Sequence, residues 1–114
     1  MAGSIEITNS NGINIVNLLG RLDVMMSVDL EKQMHGLLDS GADRIIVDLV
    51  RLDFLSSSGL RIFIECAKRI KNVKGRLVFC NPSPSVMRVF KITQLDSVFE
   101  IHGGLEEAIS VFTK

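Results

Sequence analysis

Tryptophan and tyrosine are absent from this 114-residue chain, proline and cysteine occur only twice each, and neither sign of charge prevails, with 13 Lys+Arg against 13 Asp+Glu. The charge balance and the lack of any basic block argue against a protein built to coat nucleic acid or an anionic membrane. Few prolines, zero net charge and 46% hydrophobic residues exclude disorder. The longest apolar stretches, 45–50 and 62–67, are interrupted and far too short to span a bilayer, so no membrane insertion is expected. Cys66 and Cys80 have neither CxxC spacing nor a neighbouring His pair, which predicts two buried, reduced thiols and neither a metal nor a cofactor. The opening residues Met1, Ala2, Gly3, Ser4, Ile5 and Glu6 lack a charged-then-apolar signal, and position 2 is not the glycine that myristoylation requires. A cytoplasmic protein is therefore expected. The length suits one domain spanning 1–114, able to bury roughly two-thirds of its unfolded surface.

Periodicity supplies the fold class. Ile5, Ile7, Ile13 and Ile15 alternate with polar residues around Asn9, Ser10, Asn11 and Gly12, predicting an antiparallel hairpin whose second strand runs to Leu19 and ends at Gly20-Arg21-Leu22-Asp23. Val28, Leu30, Met34, Leu37 and Leu38 mark one helix face, with Ser27 as its cap and Gly41 as its stop. The β-branched run 45–50 predicts a buried parallel strand. Leu60, Phe63, Ile64, Ala67 and Ile70 mark a second helix, 77–80 a strand, and Pro84 the first turn of a third helix. A short strand near 97–101 and a helix over 105–112 complete the order ββαβαβαβα. This is an α/β domain with a mainly parallel sheet and an antiparallel N-terminal hairpin strand, whose partners meet the loops leaving the carboxyl ends of the strands.

One of those loops carries Asp53-Phe54-Leu55-Ser56-Ser57-Ser58-Gly59-Leu60. A single serine satisfies the need for a helix cap, and a polar loop also collects serine for no further reason. Three hydroxyls at a strand-to-helix handover equally suit a covalent modification, because a helix N-terminus tolerates a phosphate. Catalysis fits less well. A serine nucleophile needs a base, and His35 and His102 fall on a helix surface and a strand end. No nucleophile elbow, Walker A, G-x-G-x-x-G or H-E-x-x-H pattern is present. Asp23, Asp48 and Asp53 could share a rim, although solvated loop acids are commoner than acid–base pairs.

These pieces together resemble the STAS-domain anti-sigma factor antagonists of bacteria. The likeness spans nearly the whole chain: Gly20-Arg21-Leu22-Asp23 after the hairpin, Leu52-Asp53-Phe54 after the buried strand, Ser57-Ser58-Gly59-Leu60 at the helix start, the Asn81-Pro82-Ser83-Pro84 turn, and Val89-Phe90 followed by Leu95. The resemblance implies a STAS-type fold and a partner switch without enzymatic activity. The unmodified protein would bind an anti-sigma factor that is also a serine kinase of the GHKL type, freeing a sigma factor for transcription. Phosphorylation of Ser57 would release it, and a PP2C-type phosphatase would reset it. The Asp that usually precedes the modified serine is Ser56 here, which makes Ser56 itself a candidate, less favoured than Ser57, as is Ser58. The implied contact surface comprises Gly20, Arg21, Leu22, Asp23, Ser56, Ser57, Ser58, Gly59 and Arg61. Within the same fold, the alternative is a phosphorylation-independent scaffold, for example the small partner of an ABC-transporter ATPase.

Overall fold

The computed structural model describes residues 3–113; Met1, Ala2 and Lys114, with what was expected of the extreme start and the two domain ends, lie outside the described residues. Strand β1 (Ser4–Ser10) turns through Asn11 and Gly12 into β2 (Ile13–Leu22). Both turn residues have positive φ, 52° and 84°, as a two-residue hairpin loop with the twist of its strands requires. There follow α1 (Val24–Asp39), β3 (Arg44–Leu55), α2 (Ser57–Asn72), β4 (Arg76–Cys80), α3 (Pro84–Ile92), a single 3-10 turn at Leu95–Ser97, β5 (Glu100–His102) and α4 (Leu105–Thr113). The sheet order is β1-β2-β3-β4-β5, antiparallel at β1-β2 and parallel elsewhere. The expected element order and sheet type are those observed.

Strict alternation along the central strands divides the core into two layers. Val16, Leu18, Ile45, Val47 and Phe79 face α1, α2 and α3, where they meet Leu30, Met34, Ile62, Phe63, Val86 and Phe90. Ile13, Ile15, Ile46, Val78 and Cys80 face the other way and are covered by α4 through Ala108. On the first side, Phe63, Phe79, Phe90 and Phe99 pack with ring centroids 4.7–6.4 Å apart in tilted and edge-to-face pairs. Four of the chain's six phenylalanines thus form one aromatic core. Both cysteines are buried and free. Burial pushes the Cys66 thiol up to about 11, with Glu65 adding to it, and the Cys80 thiol up to about 12, with Asp48 adding to it. Both are therefore protonated packing groups at neutral pH.

Several boundaries differ from the sequence-based reading. β2 does not stop at Leu19 but continues through Gly20, Arg21 and Leu22, and β3 continues through the expected loop to Leu55. The register explains this. Between Asn17↔Asp48 and Leu22↔Leu55 the pairing shifts twice, so β3 carries two extra residues opposite β2. Those shifts break the period-2 pattern by which a strand is legible. Asp48 compensates locally, its Oδ1 accepting from the Val50 N–H at 3.1 Å and from Asn81 Nδ2 at 3.2 Å. The expected strand near 97–101 splits into the 3-10 turn and the shorter β5. Ser27 is not the cap of α1: Asp23 is, and Ser27 lies buried in the helix with its hydroxyl donating to Asp23 O at 2.6 Å. Among the described residues, no helix is long and apolar enough to cross a membrane.

Candidate functional site

Parallel strands β2 and β3 end side by side, and each passes directly into a helix. The Ser56 N–H donates to Leu22 O at 2.9 Å, closing the sheet at its carboxyl end. One residue beyond Leu22, Asp23 caps α1, its Oδ1 accepting from Met26 N at 2.9 Å. One residue beyond Leu55, Ser56 caps α2, its Oγ accepting from Gly59 N at 3.1 Å. Both cap residues have extended backbone, as the position demands. Two N-termini thus open at the same end of the sheet, and their partial positive charges add.

The third helix fastens this end of the sheet. Ser83 Oγ donates to Leu52 O and Ser85 Oγ to Asp53 O, each at 3.0 Å. Leu52 and Asp53 lie just before the serine run, so the start of α3 holds the segment that presents it.

The three serines separate by role. Ser56 spends its hydroxyl on the cap. Ser57 is the first residue of α2 and is exposed; its hydroxyl has no hydrogen-bond partner among the described residues. Ser58 is half-buried. Of the three, Ser57 offers the accessible oxygen.

Gly59 and Leu22, expected on the contact surface, face inward instead. Leu22 is fully buried, and a Cβ on Gly59 would lie 2.6 Å from Leu22 Cγ and Cδ2 and 3.1 Å from Leu55 Cδ1. Glycine is thus required there by internal packing of α2 onto the strand ends, not by the approach of a partner backbone. Arg21 remains outside, its guanidinium 4.1 Å over the half-exposed Phe54 ring, a cation–π stack.

An apolar patch beside the serines has no counterpart in the sequence-based reading. Val24 is 63% exposed, Met25 80% and Val28 51%, all in the first turns of α1. Val28 was expected on the core face, but Met26 and Ser27 take the inward positions there. The helices run parallel with residue pairs 31/61, 35/69 and 39/69 in contact, which sets Val28 level with the start of α2. The signal available in the sequence was Val24-Met25-Met26, too many large apolar residues in succession for one face of a helix.

The seam between α1 and α2 also gathers charge. Arg61 Nη1 lies 2.7 Å from Glu65 Oε2 and 3.7 Å from Glu31 Oε2. Arg69 donates to Asp39 and meets His35 Nδ1 at 2.8 Å. The Arg69 hydrogen bond and charge hold the Asp39 carboxyl below its usual range. One ligand atom each from Glu31, His35 and Glu65 fall within 4.8 Å of one another, a cluster foreshadowed only by the i,i+4 spacing of Glu31 and His35. Arg61 and Arg69 already supply the positive charge that these groups attract. His35 is thus engaged on the seam, and His102 pairs with Glu100 at 3.0 Å on the edge strand β5. Asp23, Asp48 and Asp53 do not form a pair: the first two cap backbone N–H groups and the third is exposed.

Comparison with known proteins places these features in a family. The STAS domain family model matches residues 4–108. The BtrV protein of Bordetella bronchiseptica is 35% identical over 102 residues, covering 90% of this chain and 88% of that protein. The anti-sigma-B factor antagonist of Bacillus subtilis is 31% identical over 101 residues, covering 89% and 91%. Among solved structures, the anti-sigma factor antagonist SpoIIAA in its unphosphorylated form superposes with a TM-score of 0.86 at 26% identity, covering 96% of both chains. The phosphorylated form of the Bacillus SpoIIAA superposes with a TM-score of 0.79 at 25% identity, covering 96% of this chain and 99% of that one.

Proposed function

The chain belongs to the STAS domain family, and on that premise we propose that it is an anti-sigma factor antagonist switched by phosphorylation of Ser57. Unmodified, it binds an anti-sigma factor that is also a GHKL-type serine kinase, and so frees a sigma factor. The kinase transfers the γ-phosphoryl group of ATP to Ser57 Oγ, releasing ADP and the hydroxyl proton, and the antagonist dissociates. A PP2C-type phosphatase hydrolyses the phosphoserine and returns it to the binding state. The protein acts in the cytoplasm by binding, not by turnover of its own.

The observation that carries this reading is the exposed hydroxyl of Ser57 at the first position of α2, without a hydrogen-bond partner among the described residues, beside the apolar patch of Val24, Met25 and Val28. A partner docked on that patch covers Ser57. A neutral hydroxyl is tolerated under such an interface; a phosphate brings about −1.5 to −2 charges. Two like unit charges about 4 Å apart near a surface repel by about 4 kcal/mol at an effective dielectric of 20. That matches the ~4 kcal/mol needed for a thousandfold loss of affinity. The scaffold is spared, because the helix N-terminus stabilises negative charge at that position.

The test is phosphosite mapping by mass spectrometry on protein isolated from its own cells. Trypsin releases residues 52–61, whose only hydroxyls are Ser56, Ser57 and Ser58. Phosphate is expected on Ser57. A peptide found only unmodified across growth, stress and starvation would replace the switch with a phosphorylation-independent scaffold.

A further inference from the structure

We propose that Arg61 is the internal partner of the Ser57 phosphate, exchanging its carboxylates on the α1–α2 seam for the phosphoryl oxygens when the serine is modified; this rests on the assignment of Ser57 above. Ser57 and Arg61 stand four residues apart on α2, one above the other on the same face. Long helical side chains lean toward the N-terminus, so the natural direction of the Arg61 side chain is back toward the first turn. In the unmodified protein it is drawn the other way, with Nη1 2.7 Å from Glu65 and 3.7 Å from Glu31. Both are partly solvated contacts, the side chains between 40% and 57% exposed, which makes them weak and replaceable.

A phosphate is the stronger claimant. It carries more charge than a carboxylate, offers three acceptor oxygens, and matches the bidentate fork of a guanidinium. Arg61 is also the first cation of α2; Lys68, Arg69 and Lys71 follow seven or more residues beyond it. When Arg61 swings to the phosphate, Glu31 and Glu65 lose their shared cation and remain beside His35, which itself contacts Arg69. Modification at the tip of α2 is thereby transmitted to α1, the helix that carries the apolar patch.

The experiment uses full-length protein with phosphoserine installed genetically at position 57, so that it does not depend on which serine a kinase selects. The second ionisation of the phosphate is followed by phosphorus NMR in the parent, in Arg61→Gln and in Arg69→Gln. With Arg61 paired to the dianion, the midpoint in Arg61→Gln lies roughly 0.3 pH unit above the parent, the size expected of an i,i+4 ion pair, and Arg69→Gln stays with the parent. The Glu31 amide resonance shifts on phosphorylation in the parent and not in Arg61→Gln. Coincident midpoints for parent and Arg61→Gln overturn the proposal, as does an equal rise in Arg69→Gln, which would signify a general loss of positive charge. Mapping of the native protein to another serine would sink the assignment of Ser57 while leaving this titration standing.

Discussion

Gly59 lies against Leu22 so closely that a single added methyl would sit 2.6 Å from the leucine Cγ. This contact, between the first turn of α2 and the last residue of β2, sets how deeply the helix docks on the sheet and therefore where Ser57 emerges.

Gly59→Ala is accordingly expected to destabilise the fold by about 1–3 kcal/mol, the range for overpacking a well-filled core, despite the better helix propensity of alanine. Leu22 is fully buried and Leu55 Cδ1 is 3.1 Å away, so neither neighbour can yield freely. Urea denaturation measures it, and a variant as stable as the parent would show that the strand ends are softer than their burial indicates.

Ser56 and Ser57 should respond oppositely to removal of their hydroxyls. Ser56→Ala loses the bond to Gly59 N and about 1 kcal/mol of stability, whereas Ser57→Ala stays within about 0.5 kcal/mol of the parent. Ser56→Asp keeps a capping oxygen and should be close to neutral. Thermal melts of the three variants separate these outcomes.

The apolar patch should matter to binding and not to folding. Met25→Asp and Val28→Asp replace exposed side chains and should shift stability by no more than about 0.5 kcal/mol. Each should weaken binding to the proposed anti-sigma factor partner at least about tenfold, or 1.4 kcal/mol. Calorimetry against that partner decides; undiminished affinity in both variants would move the interface off α1.

Arg76 and Glu100 make an acid-sensitive contribution at the edge of the sheet. Arg76 donates from Nε and Nη2 to the two carboxylate oxygens at 2.7 and 2.8 Å. Burial alone would raise the Glu100 pKa, but hydrogen bonds from Arg76 and His102 outweigh it and hold the group below its usual 4.5. A depressed carboxyl pKa contributes stability above the unfolded value and loses it as pH falls through the folded one. Arg76→Gln should therefore cost roughly 0.5–1 kcal/mol near pH 7, allowing for solvent screening, and the gap should narrow as the pH falls below the usual 4.5 of Glu100. Denaturation curves across that window are the check.

The thiols should be silent in the folded state. With Cys66 pushed up to about 11 and Cys80 to about 12, and both buried, labelling by a thiol reagent at neutral pH should proceed only as fast as the protein opens. Rapid labelling of either residue without denaturant contradicts that expectation.

The element order was legible because each step in it is local. Hydrophobic alternation at 5, 7, 13 and 15, the Asn11-Gly12 turn, and helical spacing at 60, 63, 64, 67 and 70 each report on a few neighbouring residues. The serine run at a strand-to-helix handover was equally legible, since a helix start needs a capping oxygen wherever the helix lies. The ends of β2 and β3 were not, because two register shifts against a neighbouring strand erase the alternation over the very residues that approach the site.

By itself, the sequence determined an α/β chain with a parallel sheet, three hydroxyls at one helix start, and thiols suited to a core. Only the tertiary structure decided which serine is free, which glycine serves packing, and which side of α1 faces outward. Periodicity states that a helix has an apolar face, but burial depends on what the fold packs against it: Met26 turns inward beside Gly3, just ahead of β1, and Met25 and Val28 stay in the open. A capping bond likewise follows from which residue holds the extended backbone at the junction. That was settled by the Ser56 N–H pairing with Leu22 O across the sheet.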